Sequence, residues 1–238
     1  MANKRTGKHS ASANDFLEPK PVVITSAIDV GTGRAFNNGA INIIWTLPAG
    51  SPEATLYTIT PSPAVSGAPW TTTGLSYIAQ GLTSSQSYTF SIVASNAAGA
   101  SAPTVTSAAT ATTAPSSPTS VSVSTGGAVP SGSDRITFAA PSATGGSTVT
   151  SYRIVSSLRG VLTTSATSPY DTADPTLPDA SADESYTVYV SNANGESAGA
   201  STAAIQTFTP PHFPPFFPPY FGGPYFPPYF PSRYARVY

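Results

Sequence analysis

Apolar and polar residues alternate one by one in several short runs of this chain. In SYTFSIVASN, residues 87–96, Tyr88, Phe90, Ile92 and Ala94 take every second position, with Thr89, Ser91 and Ser95 between them. A period of two puts one set of side chains in a core and the other in water, so the run predicts a strand of an antiparallel sheet. Val93 is its one outward apolar residue. The run stops at Asn96-Ala97-Ala98-Gly99, where glycine admits the positive φ of a tight turn, and a more polar strand follows. The pattern returns as SYTVYVSNANG from Ser185, with Tyr186, Val188 and Val190 inward and a turn signal at Asn194-Gly195. From tyrosine to asparagine this copy is two residues shorter, so its strand or its turn is trimmed.

Two copies of one pattern predict a tandem repeat of one domain. In the first copy, Pro21–Val30 predicts an opening strand. Ile41, Ile43, Trp45 and Leu47 alternate inward up to Pro48, Leu56–Thr60 forms a third run, and Tyr77, Ala79 and Leu82 form another with a slip at Gly81. In the second copy Phe138 lies in RITFAAP and Tyr152 in SYRIVS, with a loop at Thr144–Ser147 between the two runs. We therefore expect a flexible basic arm at 1–19, sandwiches at 20–113 and 115–209, and a separate tail at 210–238. The prolines of TTAPSSP, residues 112–118, predict a semi-rigid joint between the sandwiches.

These residues resemble the fibronectin type III family. Gly81-Leu82 followed by Tyr88 matches the leucine and corner tyrosine before that fold's sixth strand, and Asn-x-x-Gly matches the turn after it. Trp45 and Tyr57 stand where the family places its second-strand tryptophan and third-strand tyrosine. Phe138, Tyr152 and Tyr186 stand at matching places in the second copy, where Leu177 precedes the tyrosine by three residues more. The resemblance implies two antiparallel β-sandwiches, with Trp45, Tyr57, Leu82, Tyr88, Phe138, Tyr152 and Tyr186 in their cores. It implies a corner tyrosine whose hydroxyl reaches backbone. It implies little about function, because this fold hosts many roles.

Composition agrees with an all-β chain, since Glu and Lys are scarce and Ser, Thr, Ala and Pro abound. Charged residues make up 9% and net charge is −1, so no field exists to gather nucleic acid or an anionic membrane. Without cysteine, each sandwich must hold by burial, and no disulfide or thiolate metal site can form. His9 and His212 both lie in the terminal segments. A Ser–His–Asp or Cys–His catalyst therefore cannot be assembled on the sandwiches, and no histidine pair is present there to hold zinc. We expect no enzyme, no cofactor and no small-molecule substrate.

Three weaker signals have bland and sharp readings. Gly31-Thr32-Gly33 is a lone G-x-G with no helix pattern after it, and does not predict phosphate binding. Asp171, Asp174, Asp179, Asp183 and Glu184 form an acidic stretch that reads first as a solvated loop, and second as a cation site. Trp70, in a Gly/Pro/Thr loop, reads first as a ring packed over a sheet edge, and second as a platform for a surface glycan.

The tail carries the strongest unexplained signal. Residues 208–238 hold twelve aromatic residues, about half of the chain's total, in the units PPHF, PPFF and PPYF, then PYF and PPYF after Gly222-Gly223. Paired prolines forbid helix and a regular strand interior, leaving extended polyproline II. With three residues per turn, a four-residue repeat advances about a third of a turn, so successive rings spiral around the rod. Such a rod needs enclosure, by several subunits around it or by its own return arm after Gly222-Gly223. Phe213, Phe216, Phe217, Tyr220, Phe221, Tyr225, Phe226, Tyr229 and Phe230 are the expected partner-binding residues, facing copies of this chain or other structural proteins.

Tandem immunoglobulin-like domains followed by such a tail resemble phage-encoded structural proteins. That resemblance implies a virion protein: a capsid decoration, head fibre or tail-associated protein. The N-terminal residues lack the apolar stretch of an export signal, which favours this expectation. The alternative is an adhesin or polysaccharide-binding module at a bacterial surface or outside the cell.

Overall fold

The computed structural model describes residues 17–125, 129, 133–172 and 183–206. All nine expected partner-binding residues of the tail lie outside the described residues, as do Asp174, Leu177, Asp179 and most of the basic arm.

The first sandwich contains β1 (Val23–Asp29), β2 (Gly39–Thr46), β3 (Leu56–Ser62), β4 (Trp70–Thr72), β5 (Ser76–Leu82), β6 (Ser87–Asn96), β7 (Gly99–Ala100), β8 (Thr104–Val105) and β9 (Ala109–Thr110). Its sheets run β1-β2-β5 and β4-β3-β6-β7, with β8 and β9 also on β6. The second contains β10 (Thr119–Thr125), β11 (Asp134–Ala139), β12 (Val149–Ser156), β13 (Gly160–Thr163), β14 (Tyr170–Asp171), β15 (Asp183–Glu184), β16 (Tyr186–Asn192), β17 (Gly195–Glu196), β18 (Ala200–Ser201) and β19 (Ile205–Gln206). Its sheets run β10-β11-β14 and β13-β12-β16-β17, with β18 on β16 and a small β15-β19 pair. Every one of these pairings is antiparallel. The chain is thus all-β, two tandem sandwiches with the strand order of the fibronectin type III fold.

Alternation builds each core. Along β6 every second residue from Tyr88 to Ala94 is buried, and along β16 every second residue from Tyr186 to Asn192. Trp45 and Leu82 are wholly buried in the first core, with Tyr57, Tyr88 and Phe90. Trp45 meets Tyr57 edge-on at 5.4 Å between ring centroids. The second core gathers Ile136, Phe138, Ile154, Tyr186 and Val188, with Tyr152 half-buried against it.

Both hairpins turn alike. Asn96 pairs with Gly99 and Asn192 with Gly195. In each, the asparagine carbonyl oxygen accepts the N–H groups two and three residues ahead. The turn is therefore unchanged between the copies, and the shortening falls on β16, seven residues against ten in β6.

Three places depart from the sequence reading. Trp70 lies in a strand rather than a loop: β4 pairs with β3, and the Trp70 ring stacks on Tyr77 at 5.5 Å. Leu17–Pro19, assigned by sequence to the arm, sit against the first sandwich. There the Leu17 carbonyl accepts from Asn96 Nδ2 at 2.9 Å and Pro19 is buried. The two corner tyrosines also differ. Tyr88 accepts the Thr83 N–H at 3.0 Å, whereas the Tyr186 hydroxyl is engaged by charged side chains.

Candidate functional site

Three features of the described residues bear on what the chain can do: the joint between the sandwiches, a charged cluster in the second, and a groove on its flank.

The joint is built on Thr112-Thr113-Ala114. Thr113 is fully buried and Ala114 nearly so. The Thr112 N–H donates to Asp29 Oδ1 at 3.0 Å, and its hydroxyl bonds the same carboxylate. The Thr113 N–H donates to the Gly145 carbonyl at 2.8 Å, and the Ala114 N–H to the Arg34 carbonyl at 2.8 Å. Asn192 Nδ2 donates to the Thr113 carbonyl and the Thr144 carbonyl, both at 2.8 Å, while Asn194 Nδ2 reaches Thr113 at 3.2 Å. A direct bond joins the sandwiches too, from the Gly33 N–H to the Asn194 carbonyl at 2.8 Å. A linking peptide whose polar groups are taken by both neighbours cannot swing freely without breaking several buried hydrogen bonds. Gly145 fits because it has φ +73° and no side chain: a Cβ there would lie 2.3 Å from the Thr113 oxygen.

The charged cluster closes the far pole of the second sandwich. Glu184 is wholly buried, held by the β15-β19 pair. Arg159 Nε donates to Glu184 Oε1 at 2.8 Å, and the Ser156 hydroxyl donates to the same oxygen. Arg159 Nη2 donates to the Tyr186 hydroxyl at 2.7 Å, which in turn donates to Asp134. Glu184 Oε2 is buried without a partner among the described residues. Burial first, and the hydrogen bond to Asp134 second, push the Tyr186 phenol far above its ordinary value.

Elsewhere on this sandwich Arg135 grips Asp171 through two bonds at 2.6 and 2.7 Å, and Arg153 grips Glu196 at 2.8 and 2.6 Å. These bonds to guanidinium hold both carboxylates below their usual range. The acidic stretch is thus partly spoken for: Asp171 and Glu184 each face an arginine rather than one another. Among the described residues no cluster of His, Asp and Glu is placed to hold a metal ion.

The groove, an open cavity of about 460 Å³, runs between the end of β11, the start of β12 and residues 165–168. Phe138 and Tyr152, 4.9 Å apart between ring centroids, form its floor with Val149 and Ala166. Exposed hydroxyls of Thr150, Ser165 and Thr167 form its rim. An apolar floor edged with small hydroxyls suits an extended apolar segment better than a polar metabolite.

Sequence reasoning named Phe138, Tyr152 and Tyr186 as core residues, and the structure brings the first two together on the groove floor. It missed Arg159, Glu184 and Asp134 as one cluster. The partners of Glu184 lie 25 and 28 residues away, so no local spacing could have shown it.

No protein-family profile matches the chain, and no curated protein matches it. Among solved structures it is similar to domains A168–A170 of titin, at 15% identity and TM-score 0.40, over 81% of this chain and 67% of that one. It is also similar to a two-domain fibronectin type III segment of chicken tenascin, at 18% identity and TM-score 0.34, over 80% of this chain and 99% of that one. The fold assignment rests on strand order and register, and no enzyme family is indicated.

Proposed function

We propose that this chain is a non-enzymatic structural protein of a bacteriophage virion, a capsid decoration, head fibre or tail-associated protein, anchored by residues 210–238. One observation carries the reading: rings interleaved with paired prolines fill that segment. Each ring offers roughly 150–250 Å² to bury. The nine named rings together approach a standard protein interface of about 1,600 Å². Paired prolines disfavour a regular strand interior for this segment. A partner that wraps this segment would bury those rings. The tied joint suits a spacer that holds a fixed direction away from the anchor. Placement on a phage particle rests on the resemblance of tandem immunoglobulin-like domains with such a tail.

Removing residues 210–238 tests the reading. Oligomeric mass by light scattering, and co-sedimentation with particles, are expected to fall to those of an isolated monomer. Unchanged assembly would refute the anchor. A surface-adhesion reading has one handle, the half-buried Trp70 ring stacked on Tyr77. Glycan binding that disappears in Trp70→Ala would favour it.

A further inference from the structure

We propose that the groove on the second sandwich holds the first ring unit of the chain's own tail, Phe213-Pro214-Pro215-Phe216. Proline-rich segments dock on aromatic floors because their extended backbone is already ordered and loses little entropy on binding. The Phe138–Tyr152 floor supplies the rings. Polyproline II leaves its carbonyls without internal partners, and the exposed hydroxyls of Ser165 and Thr167 on the groove lining can donate to them.

Reach selects the proximal unit. β19 ends at Gln206 and pairs with β15, which adjoins Tyr186, and Tyr186 is in register with Ser156. Tyr152 lies four residues along β12 from Ser156, roughly 13 Å at about 3.3 Å per residue. Crossing two strand spacings adds about 10 Å. The straight-line distance from Gln206 to the groove floor is then roughly 15–20 Å, and residues 207–213 extend to about 23 Å. A segment tethered at that range has an effective concentration near millimolar, so it outcompetes the same segment of another molecule at micromolar protein. One groove contacts one face, so it takes one unit. The later rings spiral past it and stay available to the partner proposed above. The inference goes beyond that reading and does not require it: it fixes where the tail leaves the sandwich.

The chain has no cysteine, so a pair can be introduced cleanly. In the full-length chain, His212→Cys with Thr167→Cys is exposed to a mild oxidant at low micromolar concentration, and the products are mapped by mass spectrometry. The expected product is a disulfide within one chain. It forms at least tenfold faster than in the same chain carrying Phe213→Ser and Phe216→Ser. Equal rates with and without the rings, links only between chains, or no link between positions 167 and 212 would each overturn the proposal. Removing residues 218–238 separates the two ideas: the cross-link persists, whereas assembly is lost.

Discussion

Arg159→Ala isolates the charged cluster of the second sandwich. Glu184 has no exposed surface, and the Arg159 side chain retains only 17% of its own. Removing the guanidinium leaves the buried carboxylate, among the described residues, with the Ser156 hydroxyl alone, and takes a donor from Tyr186. Stripping one partner from a buried ion pair costs about 3–5 kcal/mol, because the remaining charge stays desolvated. For a sandwich of this size each kcal/mol lowers the melting temperature by about 4–8 °C. The second sandwich should therefore melt at least about 10 °C lower.

The two tryptophans make the assay selective, since Trp45 and Trp70 both lie in the first sandwich. Far-UV circular dichroism follows both units, while tryptophan fluorescence follows the first. The circular dichroism transition should move and the fluorescence transition should stay. The pair Arg159→Met with Glu184→Leu should recover most of the loss, since well-packed apolar replacements of a buried pair are often neutral. A loss below about 1 kcal/mol in Arg159→Ala would refute the reasoning, because that is the worth of a pair screened by solvent.

Three further outcomes follow from the same geometry. Asp171 and Glu196 are held below their usual range by guanidinium. Their contribution to stability is thus present above about pH 4 and lost as pH falls through the depressed values, and Asp171→Asn should flatten the acid limb of a denaturation curve measured from pH 7 to 2. Tyr186 is raised, so it keeps its proton in the folded state while the unfolded chain gives it up. The second sandwich should lose stability above about pH 10, and melts from pH 8 to 11.5 showing no such fall would contradict the burial of that hydroxyl. Gly145→Val drives a side chain into the Thr113 and Ala114 carbonyls; both sandwiches should still fold, and small-angle X-ray scattering should show a broadened distribution of interdomain distances.

The strands that pack the cores were legible because alternation is local. Tyr88, Phe90 and Ile92 announce their face from neighbours two residues apart, and Trp45 does so from Ile41 and Ile43. β4 was hidden because it has three residues, Trp70-Thr71-Thr72, beside a proline, too few for a period. Asn194 read correctly as a turn residue, while Asn192, which starts the turn, was not named; the amides of both also clamp a backbone about 80 residues earlier, which turn chemistry does not encode. The acidic stretch showed its composition but not its counter-ions, since Arg135 arrives from β11 and Arg159 from the turn between β12 and β13. The groove was half legible: Phe138 and Tyr152 were read as inward, but the gap beside them depends on how residues 165–168 pass by.

The most direct test places a photo-reactive phenylalanine analogue at Tyr225 in the assembled state and identifies what it captures. The account predicts capture of another protein chain, a copy of this one or a shell component, at high yield. Capture of solvent alone, with the assembly intact, would contradict it.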